Sequence, residues 1–165
     1  MPRLLCLAVL CCAFALSAYG QTTTVYLLRH AEKSESTMTR DVPLSNAGHA
    51  RADAAARLLA SADITTVYST LYQRTQQTAT PIAETHGLAV QDYDPRTLAD
   101  FATTLSTTPG IHVVVGHSNT TPYLATVLGG VEVPPIAEDE YDRLYQIILV
   151  DGEPVQTTLL RLPAN

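Results

Sequence analysis

Two short, uninterrupted apolar runs constrain this chain most. Val25–Leu28 stops abruptly at Arg29-His30-Ala31, and Ile111-His112-Val113-Val114-Val115 stops at Gly116-His117-Ser118-Asn119. A continuous run lacking the apolar–polar alternation of a half-solvated strand belongs to a strand covered on both faces, and such strands belong to parallel or mixed sheets flanked by helices. In open sheets of that kind, ligands bind at the carboxyl ends of the strands. Each run therefore delivers a histidine to the edge where chemistry is done.

The intervening segments alternate between helical and strand patterns. Ser45 reads as the cap of a helix to about Ser61, with Ala47, Ala50, Ala54 and Leu58 on its inner face. Ile64–Tyr68 is β-rich. Leu71–His86 reads as a helix with Leu71, Thr75, Thr78, Ala79 and Ile82 on one face, loosened at Pro81 and stopped at Gly87. Leu88–Val90 is a weak strand, and Asp94-Pro95 reads as the cap and first position of a helix to about Leu105. Asn119–Leu128 reads as a helix closed by Gly129-Gly130. Tyr141–Val150 and Val155–Leu160 flank Asp151-Gly152-Glu153-Pro154, a hairpin pattern. The sum is a three-layer α/β/α sandwich with a mixed, mostly parallel sheet and an antiparallel edge hairpin.

The first twenty residues stand apart. Met1-Pro2-Arg3 is a short basic start, Leu4–Leu16 is nearly all apolar, and Ala18-Tyr19-Gly20 supplies small residues before Gln21. This is the pattern of a secretory signal, too short for a comfortable membrane span. The expectation is an exported protein, periplasmic or extracellular, with residues 1–20 as signal and 21–165 as one domain. Retention as an anchor is the alternative. Cys6, Cys11 and Cys12 all fall in the leader, so the remaining chain needs no disulfide framework. It would carry nine basic against sixteen acidic residues, a net charge of −7. Such a balance disfavours nucleic acid and anionic membranes as partners, so any anion site must be local.

The residues at the strand ends suit an anion. Arg29 and Arg74 offer planar, bidentate grips on phosphate oxygens. Arg74 sits where a helix begins, a place that ordinarily favours acidic residues. His117 precedes a helix whose first amides point toward the same site. Ser118 and Asn119 either add contacts or cap that helix.

Together these segments resemble the histidine phosphatase superfamily. The resemblance rests on three motifs in order: Arg29-His30-Ala31; Ser69-x-x-x-x-Arg74-x-x-Gln77-Thr78-Ala79; and Gly116-His117-Ser118. Ala31 stands where glycine is common in the family, although Arg-His-Ala occurs in short members. The resemblance implies a phosphatase without cofactor or metal, with His30 as the nucleophile that carries the phosphoryl group. It implies that His117, as a charged imidazole, and the two arginines hold the phosphoryl oxygens. His117 follows Arg74 by only 43 residues, which leaves no room for an inserted lid domain and favours hydrolysis over mutase chemistry.

The general acid is not fixed. Counting from Arg74 by the family's spacing reaches Asp100, while Asp94 and Asp92 lie nearer the expected strand edge. Asp94 is preferred, and a site without a dedicated acid is the other possibility. The branch with aspartate directly after the second histidine is disfavoured, since Ser118 stands there. A zinc site from His30, His117 and Asp94 lacks the support of a His-Glu-x-x-His helix or paired cysteines. The substrate expected is a small phosphate ester or envelope component. Protein phosphohistidine, a substrate of some short members, fits export poorly. A catalytically inactive phosphate-binding protein on the same fold is the competing reading. The sequence leaves the oligomeric state open.

Overall fold

The computed structural model describes residues 20–35 and 41–163. The proposed leader up to Tyr19, the three cysteines, residues 36–40 and the last two residues lie outside the described residues. Ten elements follow in order: β1 (Thr22–Arg29), α1 (Asn46–Leu59), β2 (Thr66–Ser69), α2 (Gln73–Thr85), β3 (Val90–Asp92), α3 (Leu98–Thr107), β4 (Gly110–Gly116), α4 (Thr120–Gly129), β5 (Arg143–Val150) and β6 (Glu153–Arg161).

They form one six-stranded sheet in the order β3-β2-β4-β1-β5-β6. The first four strands in that order are parallel, and β5 and β6 add an antiparallel edge. The two continuous apolar runs are the central neighbours β1 and β4, paired from Thr23↔Gly110 to Arg29↔Gly116. Helices cover both faces. On one, Ala55, Leu59, Ala79 and Ile82 of α1 and α2 pack on Leu28, Val113 and Val115. On the other, Leu105, Leu124 and Leu128 of α3 and α4 pack on Val25, Leu27 and Val114. Strand side chains alternate between these two apolar layers, which is why neither run alternates in polarity. Asp151 (φ 53°) and Gly152 (φ 83°) close the hairpin with the two positive φ values of a tight turn.

Several local expectations shift. Ser45 caps α1 as expected, its Oγ accepting from the Gly48 amide at 3.1 Å. The inner face of α1 is different, however: Ala54 is buried as expected, together with Gly48, Ala52, Ala55, Ala56 and Leu59, whereas Ala47, Ala50 and Leu58 are exposed. An alanine-rich helix gives little contrast between faces, and the decisive contact belongs to a glycine. A Cβ on Gly48 would run into the Glu32 carbonyl. Leu71 lies before α2 and is 76 % exposed instead of joining its buried face, and α2 itself continues through Pro81. The Asp94-Pro95 helix start is also wrong. Residues 94–97 form a separate turn, closed by Thr97 N donating to Asp94 O at 3.2 Å, and α3 begins after Thr97.

Candidate active site

Parallel pairing of β1 with β4 brings the two histidines together. The His30 amide donates to Gly116 O at 2.9 Å, continuing the ladder one residue past β1. The imidazole centroids of His30 and His117 lie 5.5 Å apart, edge to face at 67°.

The backbone after His30 is held from two sides. Thr78 of α2, in the Gln-Thr-Ala motif, accepts from the Ala31 amide at 3.0 Å, and Leu44 N donates to Gln77 Oε1 at 2.7 Å. At the N-terminus of α1, Ser45 N donates to Glu32 O at 2.9 Å, and Arg51 grips the Glu32 carboxylate with Nε (2.8 and 2.9 Å) and Nη2 (2.6 Å). The Ala31 carbonyl is thereby aimed at His30 Nδ1, 2.8 Å away. Since a carbonyl only accepts, Nδ1 carries the proton and Nε2 keeps its lone pair. Burial pushes the His30 pKa down to about 3, against the Ala31 carbonyl, which raises it; Arg74, Arg29 and His117 lower it further. His30 is therefore neutral near pH 7.

His117 departs from expectation in its charge. Burial, then Arg74 and Arg29, lower its pKa to about 4, so it is also neutral near pH 7 rather than a standing cation. Its Nε2 lies 3.0 Å from Thr70 Oγ1, and that hydroxyl contacts Thr75 Oγ1 at 2.8 Å. Thr70 is 1 % exposed and was missed by the motif reading, which took Ser69 as its polar member. Ser69 Oγ turns instead to its neighbour's carbonyl, Thr70 O, at 2.9 Å.

The arginines are held differently. Arg29 is buried, and its Nη1 donates to three carbonyls of the loop between α4 and β5: Ala137 O (2.7 Å), Glu138 O (3.0 Å) and Glu140 O (3.0 Å). Its guanidinium lies 4.2 Å from the centre of the Tyr141 ring, and Nη2 is 3.5 Å from the Glu138 carboxylate. Its Nε is buried with no hydrogen-bond partner. Arg74 occupies the first turn of α2, which holds no acidic residue, and lies 4.3 Å over the Tyr72 ring. Tyr72 in turn meets His117 edge-on at 5.3 Å.

Arg29, His30, Arg74, His117, Ser118 and Asn119 all line a cavity of about 440 Å³. Asn119 sits at the cap position of α4 but makes no side-chain cap bond; Thr120 Oγ1 accepts from the His117 amide at 2.8 Å instead. Lys33, Tyr72, Arg96, Thr120 and Glu138 complete the polar lining and were not singled out by the sequence. Lys33 and Arg96 lie on irregular backbone with no motif around them, and Glu138 comes from a loop more than a hundred positions from Arg29.

Asp94 is not among the lining residues, although Pro95 and Arg96 are. Its carboxylate is exposed and faces Arg96, which donates from Nη2 (2.8 Å), Nε (3.0 Å) and the backbone amide (2.9 Å). Those hydrogen bonds hold it below the usual carboxylate range, the wrong direction for a proton donor. Asp92 accepts from Gln76 Nε2 at 2.6 Å, and Asp100 is exposed on the first turn of α3. None of the three expected acids lines the cavity. Among the described residues, no three His, Cys, Asp or Glu side chains cluster in a way that could hold a metal ion.

Residues 25–97 match the family model of the histidine phosphatase superfamily, branch 1. Over that segment, which is less than half of the chain, it is similar to the histidine phosphatase superfamily. Solved structures of histidine phosphatases share its fold. The protein histidine phosphatase SixA, complexed with tungstate, superimposes with a TM-score of 0.70 at 17% identity, covering 84% of this chain and 97% of that one. A mycobacterial glucosyl-3-phosphoglycerate phosphatase, Rv2419c, gives 0.65 at 16% identity, covering 88% and 100%. A putative SixA from Agrobacterium tumefaciens gives 0.64 at 20% identity, covering 87% and 99%. No curated protein sequence matches the chain. At these identities the likeness is one of fold, and the chemistry of this chain rests on its own side chains.

Proposed function

We propose that the protein is an exported, metal-independent phosphomonoester hydrolase that works through a phosphohistidine at His30. One observation carries the reading: a buried, neutral imidazole with Nδ1 tied to a backbone carbonyl stands among two arginines and a second histidine. Attack on phosphorus needs that tautomer, with Nε2 unprotonated and the ring unable to turn. Nε2 takes the phosphoryl group while the ester oxygen leaves. Arg29, Arg74 and His117 hold the oxygens on which charge accumulates. Bringing a phosphate dianion beside His117 favours its protonated form, so the cation arises when it is useful. Water then attacks phosphorus, the N–P bond breaks, and inorganic phosphate departs with His30 restored.

The substrate is a small phosphorylated molecule or envelope component. The cavity is open and local, and Lys33 and Arg96 at its lining give it a cationic character that the chain's net charge of −6 does not share. The glucosyl-3-phosphoglycerate phosphatase among the fold neighbours is consistent with that class, as is the tungstate complexed with SixA. A binding protein without turnover is the competing reading, favoured by the diversion of Asp94 to Arg96. Rapid quenching at neutral or alkaline pH separates the two. A phosphoryl group recovered on the peptide containing Arg29-His30, and loss of turnover in His30→Ala, are the expected results. A phosphoryl group on His117, or turnover surviving in His30→Ala, would overturn the assignment.

A further inference from the structure

We infer that Glu138, on the loop between α4 and β5, is the proton donor to the leaving group. The inference rests on the phosphohistidine reading and supplies what that reading lacks. Among the described residues lining the cavity, Glu138 brings the one carboxylate. Its backbone is fixed and its side chain is not. Arg29 Nη1 holds the Glu138 carbonyl at 3.0 Å and the flanking Ala137 carbonyl at 2.7 Å, while the side chain is 85 % exposed. The carboxylate reaches Arg29 Nη2 at 3.5 Å, a long ion pair on the edge of the guanidinium not taken by the loop carbonyls.

That edge is where a phosphate oxygen competes with Glu138. A substrate dianion bound there displaces the carboxylate and leaves it facing two negative charges, and the exposed side chain takes up a proton from solvent before the ester bond breaks. The displaced side chain swings on an anchored backbone, within reach of the oxygen that departs as His30 attacks. The step balances. Nε2 of His30 bonds to phosphorus, the P–O ester bond breaks, and the carboxyl proton of Glu138 goes to the alkoxide to release the free alcohol. In the second half, the Glu138 carboxylate takes a proton from the water that attacks phospho-His30. The N–P bond breaks, and Glu138 is again protonated.

Glu138→Gln keeps the backbone carbonyl that Arg29 binds and removes only the acid. Leaving-group release in a single turnover by the purified protein should fall about 10²–10⁴-fold for an alkyl phosphate such as glycerol phosphate. It should change little for 4-nitrophenyl phosphate, whose leaving group needs no proton. Glu138→Asp should restore part of the alkyl activity. Equal effects on both esters would overturn the assignment. So would tighter binding with undiminished alkyl turnover, which would make Glu138 merely a competitor for Arg29. Trapping with the nitrophenyl ester tells the two levels apart: phospho-His30 must form in wild type and in Glu138→Gln alike, and its absence from wild type would count against the phosphohistidine reading itself.

Discussion

Acidification should destabilise this fold through His30 before any carboxylate is involved. In the unfolded chain the imidazole takes up a proton near the ordinary 6.5, whereas the folded side chain, 4 % exposed, does not do so until about 3. Between those values the unfolded state binds more protons, so stability is fully present above the unfolded pKa and drains away as the pH falls from there toward 3. Moving from about pH 7 to about pH 5 should cost about 2 kcal/mol at His30 alone, since each pH unit inside the window is worth about 1.4 kcal/mol. For a domain of this size that lowers the melting temperature by roughly 4–8 °C. His117, with its pKa lowered to about 4, acts in the same direction, with a smaller share because solvent reaches it. Glu140, whose pKa Arg143 and Arg161 hold near 2 against the opposing effect of burial, loses its contribution only as the pH drops below its ordinary 4.5. The assay is urea or thermal unfolding across this range for wild type and His30→Gln. The variant should show a shallower acid slope by about 2 kcal/mol over the window, whatever its absolute stability. Parallel curves would mean that folded His30 titrates near its ordinary value, and the case for a permanently unprotonated nucleophile would fall with it.

Arg74→Ala should slow turnover about 10²–10³-fold without preventing phosphorylation of His30, by analogy with the loss of one oxyanion donor, as single-turnover kinetics would register. Activity should persist in EDTA; abolition by the chelator and recovery with zinc would revive a metal mechanism. Gly48→Ala, outside the cavity lining, should cost about 1–3 kcal/mol of stability by forcing α1 away from Glu32, and should lower kcat by disturbing the Ala31 carbonyl that orients His30. If the protein is exported as proposed, its intact mass should be that of residues 21–165; a full-length chain in the membrane fraction would favour an anchor.

The core of the site was legible because it obeys local rules. Unbroken apolar runs mark covered strands, and the residue after such a strand lies at the sheet edge, so Arg29, His30 and His117 could be placed without coordinates. Thr70 escaped because a threonine beside a serine gives no indication of which hydroxyl turns toward a histidine 47 positions away. Asp94 misled because Asp-Pro opens isolated turns as readily as helices, and here an arginine two residues on captures its carboxylate. Glu138 could not have been found by spacing, since what makes it relevant is a contact with Arg29 across 109 positions. The inner face of α1 was misread because burial of alanines is decided by what they meet, not by their hydrophobicity.

The three carbonyls gathered on Arg29 Nη1 come from residues 108 to 111 positions downstream. Contacts so distant in sequence form only after a large loop has been closed, which places them among the slower events of folding. Both histidines and Arg74 could assemble on β1, β2, α2 and β4 while Arg29 still lacked its anchor. A chain ending before Ala137 would hold His30 yet leave that guanidinium loose. Catalysis would then be a late reporter of folding, arising when the segment from Ala137 onward closes on the first strand. Recovery of activity during refolding should lag behind recovery of helix signal by the time this closure takes.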